Sequence, residues 1–269
     1  MLTSNQACRE LAELVSAVQL PVSTGRRIAV TSVRGAAGTS VVAALLASVY
    51  AARRADAVLA VDADPGGGSL HRWLGLSGNG TLTPLAPRLL AASSVELRGL
   101  EQLLPRTGTG LWVLPGGAPG QHRLARDVTR VLCRLFAVCV TDCGGGMHSQ
   151  AAAEVMAQAH AVVVVTPATP EGLHSTCEAL DRVAGADRAA SLSRVVVALV
   201  RSQGAPREST AIRNKVREAF ARYDVPVVTI PYDRHLATAA AITPSRLDEA
   251  TLVETTRLAA QALARARAL

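Results

Sequence analysis

Three aspartates and one loop of small residues are the parts of this chain able to do chemistry. The loop, Arg34-Gly35-Ala36-Ala37-Gly38-Thr39-Ser40-Val41, lies between a short apolar segment and a helical one. Small side chains at such a junction let successive backbone N–H groups converge on an anion. The helix that follows aims its positive dipole end at the same point. Asp62 and Asp64 come just after a second apolar segment, and Asp142 ends a third. Carboxylates there can hold Mg2+ directly or through water, and one can position a hydrolytic water. Each aspartate alone would pass as a helix cap or turn residue. Three at strand ends point to one shared site.

The elements needed to bring them together can be read from the apolar pattern. Residues 4–18 predict an amphipathic helix with Leu11, Leu14, Val15 and Val18 on one face, followed by a turn at 21–25. Strands are expected at 27–33, 57–61, 111–114, 136–141, 161–166, 195–200 and 227–230. Helices are expected at 41–52, 123–135, 151–158, 170–183 and 210–223, with two more at the C-terminal end. Residues 78–105 give a Gly/Thr/Pro loop and apolar pieces around Leu89 and Leu100, without a clear period. Apolar strands alternating with helices predict an α/β fold: a single doubly wound, mostly parallel sheet with helices on both faces. In such a sheet ligands bind at the carboxyl ends of the strands, where the loop and all three aspartates fall. The expected division is an N-terminal helix and linker at 1–25 and one P-loop domain at 26–269.

The pattern resembles the MinD/ParA family of P-loop ATPases, whose loop reads KGGVGKTT where this chain has RGAAGTSV at 34–41. DADPGGGSL at 62–70 resembles the family's second acidic motif and CVTDCGGGM at 139–147 its Walker B strand. AVVVVTPATPEGLHST at 161–176 and VPVVTIPYDRHLATA at 225–239 are similar to later family segments. TDCGGGMHS together with PYDRHLA is most similar to the MinD-like proteins associated with actinobacterial type VII (ESX) secretion systems. The resemblance implies ATP and Mg2+ as ligands and residues 35–41 as the phosphate cradle. It implies Ser40, Asp142 and Asp62 around the metal, and Asp64 as the carboxylate that polarises the attacking water. It also implies a face-to-face homodimer around nucleotide.

Three departures set this chain apart from that pattern. The lysine that reaches the β- and γ-phosphates is replaced by Thr39, which is uncharged and too short. The second lysine, which in the family reaches across the dimer, is replaced by Arg34, which can still grip phosphate. The asparagine that often reads adenine is absent, because Val200 is followed by Arg201 and Ser202. These lesions predict weak or no ATP binding and a pseudo-ATPase that serves a protein partner, in secretion or cell positioning. The alternatives are an active ATPase using Arg34 or a partner residue, and a non-enzymatic protein placed on DNA or membrane by its charge.

Composition limits those alternatives. The net charge is +7, yet Lys215 is the only lysine and the arginines are scattered along the chain, which reads as drift and solubility. Arg207, Arg213, Lys215, Arg217 and Arg222 surround one helix and would be its solvated surface, or else a basic face for DNA. The amphipathic stretch 252–269 is mostly alanine on its apolar side, so packing on the domain is expected rather than membrane binding. Five cysteines without a C-x-x-C pair, and no secretory leader or membrane-length apolar run, predict a cytoplasmic protein with reduced thiols. The histidines lack ligand spacing. Aromatics are 3% of the chain, so the core must be built from Val, Leu and Ala, with Trp73 and Trp112 as packing residues.

Overall fold

A computed structural model describes residues 4–76, 82–91, 97–116, 122–184, 188–203 and 210–268. In chain order the elements are α1 (Ser4–Val18), β1 (Arg26–Ser32), α2 (Thr39–Arg53), β2 (Val58–Asp62), α3 (Leu70–Trp73), α4 (Leu82–Ala91), α5 (Leu97–Leu100), β3 (Trp112–Leu114), α6 (His122–Leu132) and β4 (Val138–Gly145). There follow α7 (Gln150–Gln158), β5 (Ala161–Pro167), α8 (Pro170–Ala184), α9 (Arg188–Leu192), β6 (Val195–Val200), α10 (Thr210–Ala221), β7 (Val227–Ile230), α11 (Arg234–Ala237) and α12 (Glu249–Arg267). A short 3-10 turn, Pro244–Arg246, precedes α12.

The seven strands form one parallel sheet in the order β3-β2-β4-β1-β5-β6-β7. Strand side chains alternate between faces, and here both faces are covered, which is why the strands read as unbroken apolar runs. On one face Ile28, Val30, Val140 and Val163 pack under α2 and α12 through Val42, Leu46, Leu258 and Leu263. On the other, Ala29, Val162, Val164 and Val197 meet Ala152 of α7, Leu180 of α8 and Phe220 of α10. Toward the β3 edge, Leu59, Val61 and Trp112 pack against Leu89 of α4 and Val128 of α6. Trp112 is buried and meets Phe136 edge-on with ring centroids 6.0 Å apart.

The expected architecture is present, and most element boundaries fall within two residues of their sequence positions. The 78–105 stretch differs: α4 and α5 occupy described parts of it. Pro87 lies inside α4, where it removes one helix hydrogen bond. Burial of Leu82, Ala86 and Leu89 against the α6 side holds the helix regardless. At the termini, α1 packs along α12, with Arg257 donating to Glu10 at 2.7 Å, and the buried Arg54 guanidinium donates to the Val18 and Leu20 carbonyls at 2.6 and 3.0 Å. No described helix is long and apolar enough to cross a membrane.

Candidate functional site

The loop sits at the carboxyl end of β1, the central strand. Two residues make its reversal: Ala36 at φ 62° and Gly38 at φ 89° are left-handed, a region glycine enters freely and alanine only at a cost. The result is an N-terminus of α2 that opens onto the loop. Among the described residues, the amides of residues 35–41 have no hydrogen-bond acceptor; the first helical bond runs from Val42 N to Gly38 O at 3.0 Å. Free converging amides at a helix start are what an anion cradle requires.

Thr39 does not face that cradle with a charge. Its side chain is buried, and its hydroxyl donates to Ser32 Oγ at 2.9 Å; Ser32 in turn donates to the Arg34 carbonyl at 2.6 Å. The relay ties the start of α2 to the end of β1 and holds the loop closed. Arg34 points the other way, into an ion pair with Glu171 in the first turn of α8. Both side chains are about two-thirds or more exposed (68% and 73%), so the pair contributes at most about 1 kcal/mol. Ser32 and Glu171 were not visible as site residues in the sequence. Only the fold brings Glu171 near a residue 137 positions earlier.

The three aspartates lie near one another at the carboxyl edge of the sheet, although Asp142 does not end its strand, because β4 continues to Gly145. Asp62 and Asp142 are direct neighbours in the β2–β4 register, and Ala63 N donates to the Asp142 carbonyl at 2.8 Å. Asp142 Oδ1 accepts from Gly144 N at 3.0 Å, while Oδ2 is buried without a hydrogen-bond partner. Asp64 Oδ1 accepts from Gly66 N at 2.9 Å. Glycines make this crowding feasible. A Cβ on Gly144 would lie 2.5 Å from the Asp64 carboxylate, and one on Gly145 would lie 2.5 Å from the Gly35 Cα. The carboxyl end of β4, just past Asp142, therefore presses directly on the loop.

Burial dominates the electrostatics. Asp62 is pushed up to about 7, first by loss of solvent and then by the charge of Asp142. Asp142 is raised to about 6 by burial, partly offset by the Ser40 hydroxyl and the Gly144 amide. Both carboxyls hold protons in the native state at pH values where the unfolded chain has lost them. Native stability therefore falls as pH rises from about 4 toward 7. Asp62→Asn removes the larger share of this cost. It should raise stability at about pH 8 by roughly 2–4 kcal/mol and flatten the pH dependence. Denaturant midpoints at about pH 5 and pH 8 check this; an unchanged slope would contradict the buried-charge account.

The residues present fit a phosphate in part. The free amides and the unpartnered Asp142 Oδ2 beside Ser40 suit phosphate oxygens and a hydrated cation. The first helical position offers only a hydroxyl already committed to Ser32.

No family model matches the chain. In sequence it is similar to the ESX-1 secretion-associated protein EspI of Mycobacterium tuberculosis, 29% identical over 234 residues that cover 82% of this chain. The chain spans only 34% of the length of that curated relative. In structure it is similar to a ParA family ATPase from Chlorobium tepidum, with a TM-score of 0.70 at 16% identity over 87% of this chain and 98% of that one. The cell division ATPase MinD of Pyrococcus furiosus gives a TM-score of 0.64 at 22% identity, covering 87% and 97% of the two chains. The MinD of an Aquifex aeolicus MinC:MinD complex gives 0.62 at 16% identity, covering 87% and 94%. The chain thus has the parallel α/β P-loop fold of the ParA and MinD ATPases, and over most of its length its sequence resembles part of an ESX-1 secretion-associated protein.

Proposed function

We propose that this chain is a MinD/ParA-like pseudo-ATPase: its phosphate cradle has lost the central cation, and it serves as a regulatory, partner-binding subunit in a secretion-associated setting. The observation that carries this reading is Thr39, buried and hydrogen-bonded to Ser32 where the fold family places its phosphate-reaching lysine. The secretion setting rests on the similarity to EspI, and a protein partner is in keeping with the MinC:MinD complex among the structural neighbours.

If nucleotide binds, the amides of residues 35–41 would hold the phosphates. Ser40, Asp142 and Asp62 would surround Mg2+, and Asp64 would orient water. The metal would supply charge neutralisation at the phosphoryl oxygens. Losing one charge-assisted hydrogen bond costs about 1.5–3 kcal/mol, or roughly one to two decades of affinity. The transition state, where charge accumulates on the phosphoryl group, loses more than the ground state. Hydrolysis is accordingly weak or absent. Loss of nucleotide would also remove what bridges a face-to-face homodimer, leaving a monomer or a nucleotide-independent dimer.

A second reading, a working ATPase in which Arg34 or a partner residue supplies the charge, is favoured by the free amides of residues 35–41. Arg34 would first have to leave Glu171. Phosphate release from the purified chain in Mg-ATP separates the two. Background-level turnover, unchanged by Asp64→Ala, is the expected result. Turnover that stops with Asp64→Ala would overturn the pseudo-ATPase reading in favour of the second. Placement on DNA or membrane by net charge has no comparable observation behind it.

A further inference from the structure

Arginines that look scattered in the sequence align once α6 forms. Arg123, Arg126, Arg130 and Arg134 are spaced by three, four and four residues, which is one face of a helix. Arg134 lies in the turn that continues α6, where Cys133 N still donates to the Thr129 carbonyl at 2.8 Å. The stripe is roughly 16 Å long at 1.5 Å per residue. Its opposite face, with Ala125, Val128 and Leu132, is buried against the sheet, so the stripe must face outward.

Arg126 shows the chemistry such a position favours: it binds two carboxylates, Glu154 at 2.7 Å and Asp127 at 3.0 Å. Arg123, Arg130 and Arg134 are exposed and have no acidic partner among the described residues. Three uncompensated charges on one helix face form a surface that attracts a matching anion.

The lower end of the stripe decides which anion. Arg134 leads into a cleft of about 790 Å3 at the amino ends of the strands, away from the phosphate loop. Val22, Leu97 and Leu135 line it half-buried, and Arg106 stacks over Trp112 there at 4.5 Å from the ring centroid. The acidic groups in the cleft are already engaged: Asp56 pairs with Arg54, and Glu101 with Arg106. A phosphate backbone would use the arginines but leave the apolar wall unmatched.

We propose that the α6 arginine stripe and the cleft below it form the docking surface for an acidic segment of a protein partner, with carboxylates along the stripe and an apolar side chain in the cleft. Carboxylates three and four residues apart on a partner helix rise by about 4.5 and 6 Å, the same steps as the arginines. This rests on the partner-binding reading above and names the chemistry of that partner.

The test uses a labelled helical peptide whose glutamates repeat at the stripe's spacing and which ends in leucine, alongside duplex DNA of equal charge, at physiological salt. Arg123→Glu/Arg130→Glu/Arg134→Glu is compared with a charge-matched control elsewhere, Lys215→Glu/Arg217→Glu/Arg246→Glu. All six side chains are exposed, so both variants should melt as the parent does. The stripe variant should lose at least about tenfold in peptide affinity and the control less than about twofold. Equal losses in both, no peptide binding by the parent, or tighter binding of DNA than of peptide would each overturn the proposal. A Leu135→Asp variant, which leaves the arginines intact, should also weaken the peptide; an unchanged affinity would remove the cleft from the surface. Nucleotide titration of the same variants keeps the two readings apart, because the stripe lies outside the cradle. Peptide results leave the pseudo-ATPase reading standing, and ATP turnover would sink that reading without touching the stripe.

Discussion

Thr39→Lys should raise the affinity for Mg-ATP by about ten- to a hundredfold. The gain comes from returning a cation to a loop whose amides at residues 35–41 are already free to donate. The substitution has a structural cost. The Thr39 hydroxyl bonds to Ser32 inside the protein, so a lysine must leave that pocket and lay its chain across the loop. Losing the Thr39–Ser32 bond should lower stability by about 1 kcal/mol. Thr39→Val separates the two effects: it breaks the same bond without adding charge, so it should lose stability and gain no affinity. Titration with a fluorescent ATP analogue checks both variants. Equal affinities for lysine and valine would mean that charge at this position is not what limits binding.

Gly145→Val should strongly destabilise the protein by forcing the phosphate loop away from β4. Its Cβ would lie 2.5 Å from the Gly35 Cα and 2.6 Å from the Gly35 nitrogen, backbone atoms that cannot rotate away. The β4 end and the phosphate loop must then separate, carrying Asp142 away from Ser40. Overpacking of this kind costs about 1–3 kcal/mol, and more where backbone is displaced. Gly35→Ala is the informative contrast, because a Cβ there meets nothing within 4 Å and should be nearly neutral. Thermal unfolding of the pair checks this. Equal melting temperatures would show that the loop yields easily and is not braced by β4.

The fold was legible because both sheet faces are buried. Runs such as Val162–Val165 and Val195–Val197 must then be apolar throughout, and the aspartates at the end of β2 and in the last half of β4 mark the ligand-bearing edge. Helix α4 was not legible, since Pro84 and Pro87 argue against a helix that tertiary packing nevertheless holds. Local sequence also could not show the Arg34–Glu171 pair or the Thr39–Ser32 bond, which depend on how distant or turned backbone is brought together. The α6 stripe was within reach of the sequence. Its spacing is helical, but the whole-chain charge pattern conceals it.

The site's behaviour turns on a cradle that keeps its donors while its cation is missing. A calorimetric titration of the unmodified protein with Mg-ATP tests this most directly. No measurable heat of binding is expected at micromolar concentrations, while Thr39→Lys binds under the same conditions. A saturating isotherm from the unmodified protein, with one nucleotide per chain at micromolar affinity, would contradict it.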